Sequence, residues 1–319
     1  MIAAGPFVNA REPGGGKSLR LARPTGYARS MDLAQRTDRI ISATTLRRNV
    51  FNMVPEGASR ILDFGCGQGG LILRLKRDKA CTDLHGLEVH PGDADGLEGL
   101  IDQVWRVDYE KGQALPQEFA GYFNYVLLHD VVEHFFDPWV TLSRIRELLA
   151  PGGTMIVATP NIHYWLLQYE ILHGRFPYGP GFWHTGHLRW FTPASLVELL
   201  VIAGLNLETL YLDIPDKVSL LRSALGRAVT EVRFPPEELA HLHPDKAPVT
   251  VRYARDIRKY FPVFFAGKLI AACTRGTPPF ELTRVTYNCG YLEGMRQKLN
   301  LGYDIFNPPP MRPLIGTSL

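Results

Sequence analysis

One stretch limits the possible folds more than any other: Arg60-Ile61-Leu62-Asp63-Phe64-Gly65-Cys66-Gly67-Gln68-Gly69-Gly70. An apolar strand seed runs into an acid and then into four glycines within six residues, and Leu71-Ile72-Leu73-Arg74-Leu75-Lys76 continues as a helix. Strand, glycine turn and helix is how an open parallel sheet brings bare backbone against a nucleoside. Gly65, Gly67 and Gly70 also satisfy the dinucleotide pattern G-x-G-x-x-G. Asp63 argues against that ligand. A pyrophosphate would sit at the helix N-terminus beside it, and two like charges about 4 Å apart cost roughly 4 kcal/mol at an effective dielectric of about 20. A cationic nucleoside without phosphate reverses the sign.

The downstream pattern repeats strand and acid. Leu84-His85-Gly86-Leu87-Glu88-Val89 reads as a second strand, and Glu88 lies 21 residues past Gly67, where a carboxylate accepts both ribose hydroxyls. Gln103 to Asp108 reads as a third strand with an acid at its end. Tyr122 to Leu128 is the fourth, running into His129-Asp130-Val131-Val132-Glu133-His134. A strand-end loop beside the first turn lines the crevice of such a sheet, so Asp130 and Val131 are cofactor-side residues. Glu133 and His134 read as hydrogen-bonding anchors of that loop rather than as reacting groups. Trp139 to Leu149 has helical spacing, Pro151-Gly152-Gly153 stops it, and Thr154 to Asn161 gives strand five.

Taken in order, the turn Asp63 to Gly69, the segment after strand four, and the run helix, Pro-Gly-Gly, strand, Pro160-Asn161 resemble the class I S-adenosylmethionine-dependent methyltransferases. The resemblance covers about residues 30–210 continuously and 262–275 weakly. It implies a Rossmann-like α/β fold: a doubly wound seven-stranded sheet, mostly parallel, with the last strand antiparallel. It also implies S-adenosyl-L-methionine as cofactor. Its binding residues would be Asp63, Phe64, Gly65, Cys66, Gly67, Gly69, Glu88, Val89, Asp108, Tyr109, His129, Asp130 and Val131, with Asp108 near the adenine amino group.

The acceptor side is expected in the loop Gly174 to Pro193, which contains Phe176, Tyr178, Phe182, Trp183, His184, His187, Arg189 and Trp190. A long aromatic, glycine-rich loop is uncommon unless it lines a site. Aromatic faces with His and Arg suit a sugar ring or another polar, partly flat acceptor. A hydroxyl acceptor must lose its proton near attack. His187 is the first choice of base and His184 the second, although loop histidines more often bond to backbone. No metal is assigned: many relatives carry an acid near the position of Trp183 or His184, and its absence here counts against a metal or acid-assisted scheme.

Thr192 caps the next helix, Pro193 to Leu200, and Gly204 ends it. Leu205 to Ile214 and Phe264 to Thr274 read as strands six and seven, with a helical insertion over 215–262. Residues 31–275 thus form the methyltransferase domain. Met31 to Val54 reads as one helix covering the crevice. Residues 1–30 form a disordered or loosely docked arm, from which Tyr27 and Arg29 reach toward the methionine carboxylate. Its Gly16-Lys17-Ser18 mimics the end of a phosphate loop, but Arg11 stands where that loop needs its first glycine. Residues 276–319 read as a tail with no domain.

Net charge is +3 over 319 residues, with no basic block, so electrostatics give no reason to expect nucleic acid. No run of 18 apolar residues marks a spanning helix. Cys66, Cys81, Cys273 and Cys289 lack metal or redox spacing, which fits a reducing cytoplasmic setting. The expected activity is O-methylation of a saccharide or small natural product, with N-methylation as an alternative. Pro160-Asn161, His163-Tyr164-Trp165 and Gly174-Arg175 also resemble MetW-like proteins, which would imply a partner of an acyltransferase. NAD-dependent reduction is set aside because of Asp63.

Overall fold

The computed structural model describes residues 32–90, 92–176, 178–179, 181–214, 262–278 and 311–315. Its centre is strand β1 (Ser59–Phe64), where Ile61, Leu62, Asp63 and Phe64 are all buried. Helix α3 (Gly70–Lys79) follows at once, with Gly69 in the left-handed region at its N-cap. β2 (Thr82–Leu87) and β3 (Gln103–Trp105) extend the sheet on one side. On the other lie β4 (Phe123–His129), β5 (Leu149–Pro160), β6 (Leu205–Ile214) and β7 (Lys268–Arg275). The order is β3-β2-β1-β4-β5-β7-β6, with β7 antiparallel to both neighbours and β1 to β5 parallel. This is the doubly wound, seven-stranded mixed sheet anticipated from sequence. β1 and β4 are adjacent although β2 and β3 intervene in the chain, so the order reverses there. Ligands bind at the carboxyl ends of strands at such a point.

Helices cover both faces: α1 (Leu33–Ala43), α2 (Arg48–Met53) and α3 share one apolar cluster, while α4 (Pro138–Arg146), α5 (Trp165–Leu172) and α6 (Pro193–Ile202) share the other. Thr192 and Ser195 form a reciprocal cap at α6. A short helix, α7 (Pro262–Phe265), precedes β7. Among the described residues no helix is long and apolar enough to cross a membrane.

Several boundaries differ from the sequence reading. The helix expected over 31–54 is two helices, broken at 44–47. Arg74 explains the break. Its guanidinium, 7% exposed, donates to the carbonyls of Ile41, Thr44 and Gly70 and to Thr44 Oγ1. That pins the break onto the start of α3, where a Cβ on Gly70 would lie 2.1 Å from Thr44 Oγ1. The third strand stops at Trp105, and Asp108 instead caps a 3-10 turn over Tyr109–Lys111. Helix α4 ends at Arg146. β5 already pairs at Leu149, before Pro151-Gly152-Gly153, through a register shift opposite Phe123 and Tyr125. Phe264 lies in α7 rather than in strand seven.

The tail supplies an eighth strand, β8 (Met311–Ile315), parallel to β6. It pairs with a sheet edge that would otherwise present open backbone groups. Tyr27, Arg29, the 1–30 arm and nearly all of the 215–262 insertion lie outside the described residues.

Candidate functional site

The glycine turn is held by its neighbours' backbone. Gly65 N and Cys66 N donate to Leu87 O at 2.7 and 3.0 Å, fixing the turn to β2. Gly67 N donates to Glu88 Oε2 and His90 N to Glu88 Oε1, each at 2.9 Å. Glu88 is buried, and each of its oxygens keeps a second lone pair for a ligand hydroxyl. Gly67 has φ +51° and nothing within 4 Å of its Cβ position, so its bare face looks into open space.

That space is a cleft of about 300 Å³ lined by Thr44, Thr45, Arg47, Asp63, the turn from Gly65 to Gln68, Gly70, Leu71 and His129. The 44–47 break forms one wall, which Arg74 holds in place. A larger depression, about 670 Å³, is lined by Pro151, Gly152, Asn206 and Arg275 through Thr277. It opens at the opposite end of the strands, away from the end where such sheets bind ligands.

Asp63 is 3% exposed. Burial pushes its carboxyl up to about 7; Arg47 opposes the rise and Glu88 adds to it. The turn therefore places an acid of unusually high proton affinity at the cleft, where a cationic ligand would favour its ionised form. The Cys66 thiol is also pushed up, chiefly by burial, and packs toward Gly86 as an inert group.

At the end of β4, Asp130 adopts φ +57° and collects cations. Lys268 bonds both its oxygens, and Arg47 Nη1 lies 3.0 Å from Oδ2. His129 Nδ1 is 3.2 Å from the same oxygen. Burial lowers the His129 pKa, and its neighbours' hydrogen bonds and charges hold Asp130 well below the usual carboxylate range despite burial. Val131 packs against the turn, since a Cβ on Gly65 would meet Val131 Cγ2 at 2.6 Å.

Of the residues expected at the cofactor, Asp63, Gly65, Cys66, Gly67 and His129 line the cleft, and Glu88 braces it. Others lie outside the wall. Phe64 and Tyr109 meet edge to face at 5.3 Å within the core. Gly69 turns toward Leu97, and Val89 is exposed. Asp108 is occupied by Glu110 N, Lys111 N and Lys111 Nζ. Burial raises its pKa, but the Lys111 and Glu110 hydrogen bonds outweigh that and lower it. Sequence reasoning missed Thr44, Thr45 and Arg47, because their place depends on the break in the first helix. It also missed Lys268, although the Ala266-Gly267-Lys268 run was visible.

Beyond Asp130 the chain turns through a 3-10 segment, Val132–His134, and meets the aromatic loop. Leu188 N and Arg189 N both donate to Glu133 O, at 2.8 and 3.0 Å, which clips the loop to the end of β4. His184 and His187 thereby join His134, with ring centroids 4.8–5.6 Å apart. The His187 side chain is only 6% exposed, so it is an internal group and not a base open to solvent. Burial lowers the pKa of both His134 and His187, and the neighbouring imidazoles reinforce this. Glu133 is 1% exposed, and burial and then the Asp130 charge push it up to about 8. Its Oε2 accepts from Thr159 Oγ1 at 2.9 Å. Phe176 stacks edgewise on Trp183 at 4.4 Å and on Trp190 at 5.6 Å, giving the loop a half-exposed aromatic cluster.

Comparison with known proteins points to one family. The family described as "methyltransferase domain" matches residues 32–210. A ubiquinone biosynthesis O-methyltransferase of Azorhizobium caulinodans is 34% identical over 158 residues, 47% of this chain and 60% of that protein. One from Caulobacter sp. is 39% identical over 106 residues, 32% of this chain and 41% of that protein. The chain thus spans less than two thirds of the length of these relatives. Among solved structures, a SAM-dependent methyltransferase from Archaeoglobus fulgidus covers 75% of this chain and 94% of its own at 17% identity and a TM-score of 0.48. The fold is read from the strand order, not from that overlap.

Proposed function

The chain belongs to the class I methyltransferase domain family, whose methyl donor is S-adenosylmethionine, and from that premise we propose that it transfers a methyl group to an oxygen of a saccharide or small natural product. Residues 31–275 are taken as the catalytic domain, with 215–262 as an insertion. The observation that carries the donor half is buried Asp63 facing the cleft beside the bare backbone of Gly67. Asp63 meets the positive charge of the donor, Glu88 takes the ribose hydroxyls, and the cleft admits the ligand because Gly67 has no side chain. Arg47 is available to the donor's carboxylate.

Methyl transfer from a sulfonium is an in-line displacement on an already activated carbon, so the protein mainly aligns two reactants. Alignment alone reaches effective molarities of about 10⁵ M or more. The acceptor half rests on the loop clipped over the end of β4. Its rings supply flat apolar surface, and the imidazoles of His184 and His187 meet the acceptor's hydroxyl. That the similar ubiquinone-biosynthesis enzymes are O-methyltransferases favours oxygen over nitrogen as the acceptor atom.

Calorimetric titration with S-adenosylhomocysteine tests the donor half. The expected outcome is saturable binding that disappears in Gly67→Val, whose side chain would fill the cleft. Absence of binding to the wild-type protein would overturn the reading.

A further inference from the structure

We propose that His134, His184 and His187 hold a divalent transition-metal cation of the zinc class beside the acceptor, with Glu133 as a fourth donor. One ring nitrogen from each of the three histidines lies within 4.8 Å of the others. Tetrahedral ligands about 2.1 Å from zinc are about 3.4 Å apart, so a cation would draw these nitrogens inward by no more than about 1.4 Å.

The rings are already oriented for this. His134 Nδ1 bonds to Gly186 O at 2.9 Å and His187 Nδ1 to Phe182 O at 3.1 Å. A carbonyl can only accept, so both rings carry their proton on Nδ1 and keep a free lone pair on Nε2; that of His187 lies 4.0 Å from Glu133 Oε1. Metal-binding histidines are commonly held by such a bond at the other ring nitrogen. His184 is the exposed member and accepts Gly186 N at Nδ1, 3.1 Å. A cation competes with that N–H for the lone pair, and exposure leaves the ring room to turn. A side chain at Gly186 would crowd the cluster: its Cβ would lie 3.0 Å from His134 Nδ1 and 3.1 Å from His184 Nδ1.

Glu133 supplies an independent observation. Its carboxyl is 1% exposed, yet Oε1 has no hydrogen-bond partner and lies 4.0 Å from His187 Nε2. A buried carboxylate oxygen without a partner is costly. A cation among the three imidazoles would satisfy it.

The consequence for chemistry rests on the methyltransferase reading. The acceptor hydroxyl adds to the cation as a fifth ligand, which lowers its proton affinity, and its proton passes to water. The oxygen then attacks the methyl carbon. One O–C bond forms as the S–C bond breaks, the released electron pair neutralises the sulfonium, and S-adenosylhomocysteine leaves. His187 is then a ligand rather than a free base.

The test uses full-length protein, stripped with chelator and titrated with Zn(II) by calorimetry and with Co(II) by visible absorption. The expected result is about one equivalent bound and a tetrahedral Co(II) spectrum. Either His184→Ala or His187→Ala should weaken binding by about tenfold or more, while exposed His173→Ala leaves it unchanged. Wild-type protein that takes up no Zn(II), or shows only the aquo Co(II) spectrum, overturns the site, as does uptake unaffected by both variants. The Co(II) spectrum of the wild type keeps the test decisive if a variant misfolds. S-adenosylhomocysteine binding without metal uptake would overturn this inference alone and leave the donor reading intact.

Discussion

Replacing Asp63 with Asn keeps the shape of the side chain and removes its charge, and two readouts should move in opposite directions. The first is stability. The carboxyl has a folded-state pKa of about 7 against an ordinary value of 3.8. Between those values the folded protein holds the proton that the unfolded chain has released. The stabilising contribution is therefore complete below about pH 4 and is lost as pH rises through 7. A gap of about 3 units at about 1.4 kcal/mol each is on the order of 4 kcal/mol. Asp63→Asn should flatten this profile and be the more stable protein above pH 7 in denaturant titrations. The second readout is donor affinity. A cationic group about 5 Å from the carboxylate gains about 3 kcal/mol at an effective dielectric of about 20, roughly two orders of magnitude in affinity. Calorimetry with S-adenosylmethionine should show that loss in the variant. In the wild type, binding one pH unit below the carboxyl's pKa must first expel a proton, so affinity should be about tenfold weaker near pH 6 than above pH 8. A variant that binds within about threefold of the wild type, with the wild-type affinity flat across that range, would refute the charge reasoning.

Arg47→Ala removes the cation that opposes the rise in Asp63; the pH at which donor affinity falls should move upward, as read from the same titrations. Gly70→Ala puts a Cβ 2.1 Å from Thr44 Oγ1 and should cost about 1–3 kcal/mol in chemical denaturation, because the 44–47 wall must shift. Glu88→Ala should weaken S-adenosylhomocysteine by about tenfold or more, since it removes a charged acceptor from Gly67 N and from the ligand hydroxyls. Leu62→Ala, at a fully buried position of β1, should cost about 2–5 kcal/mol without changing the pH profile of binding.

The parts legible in sequence were those that local chemistry decides. The β1 turn, strand six at Leu205–Ile214 and the Thr192 cap all follow from a few adjacent residues. The parts that were not legible depend on distant groups. Nothing within 31–54 announces the break at 44–47, because Arg74 makes it from the next helix. Pro151-Gly152-Gly153 looked like a helix stop, but the backbone of Leu149 had already paired with Phe123. Asp108 carried the right residue type at a strand end, yet its oxygens are taken by the following turn. The histidines show the limit most clearly. His184 and His187 drew notice as bases and His134 as an anchor. The hydrogen bonds from Leu188 N and Arg189 N to Glu133 O, about 55 residues earlier in the chain, and the bond between His134 and Gly186 O bring the three together.

Asp130 joins Arg47, His129 and Lys268, three positions widely separated along the chain. A zwitterionic guest arrives with one carboxylate and one ammonium of its own. Arg47 can then exchange Asp130 for the newcomer's carboxylate while Asp63 receives the ammonium, and Lys268 still keeps Asp130 neutralised. On that arrangement the amino-acid end of the guest docks by a swap of mates. Ionic strength should accordingly change donor affinity far less than it would for a ligand captured by surface lysines.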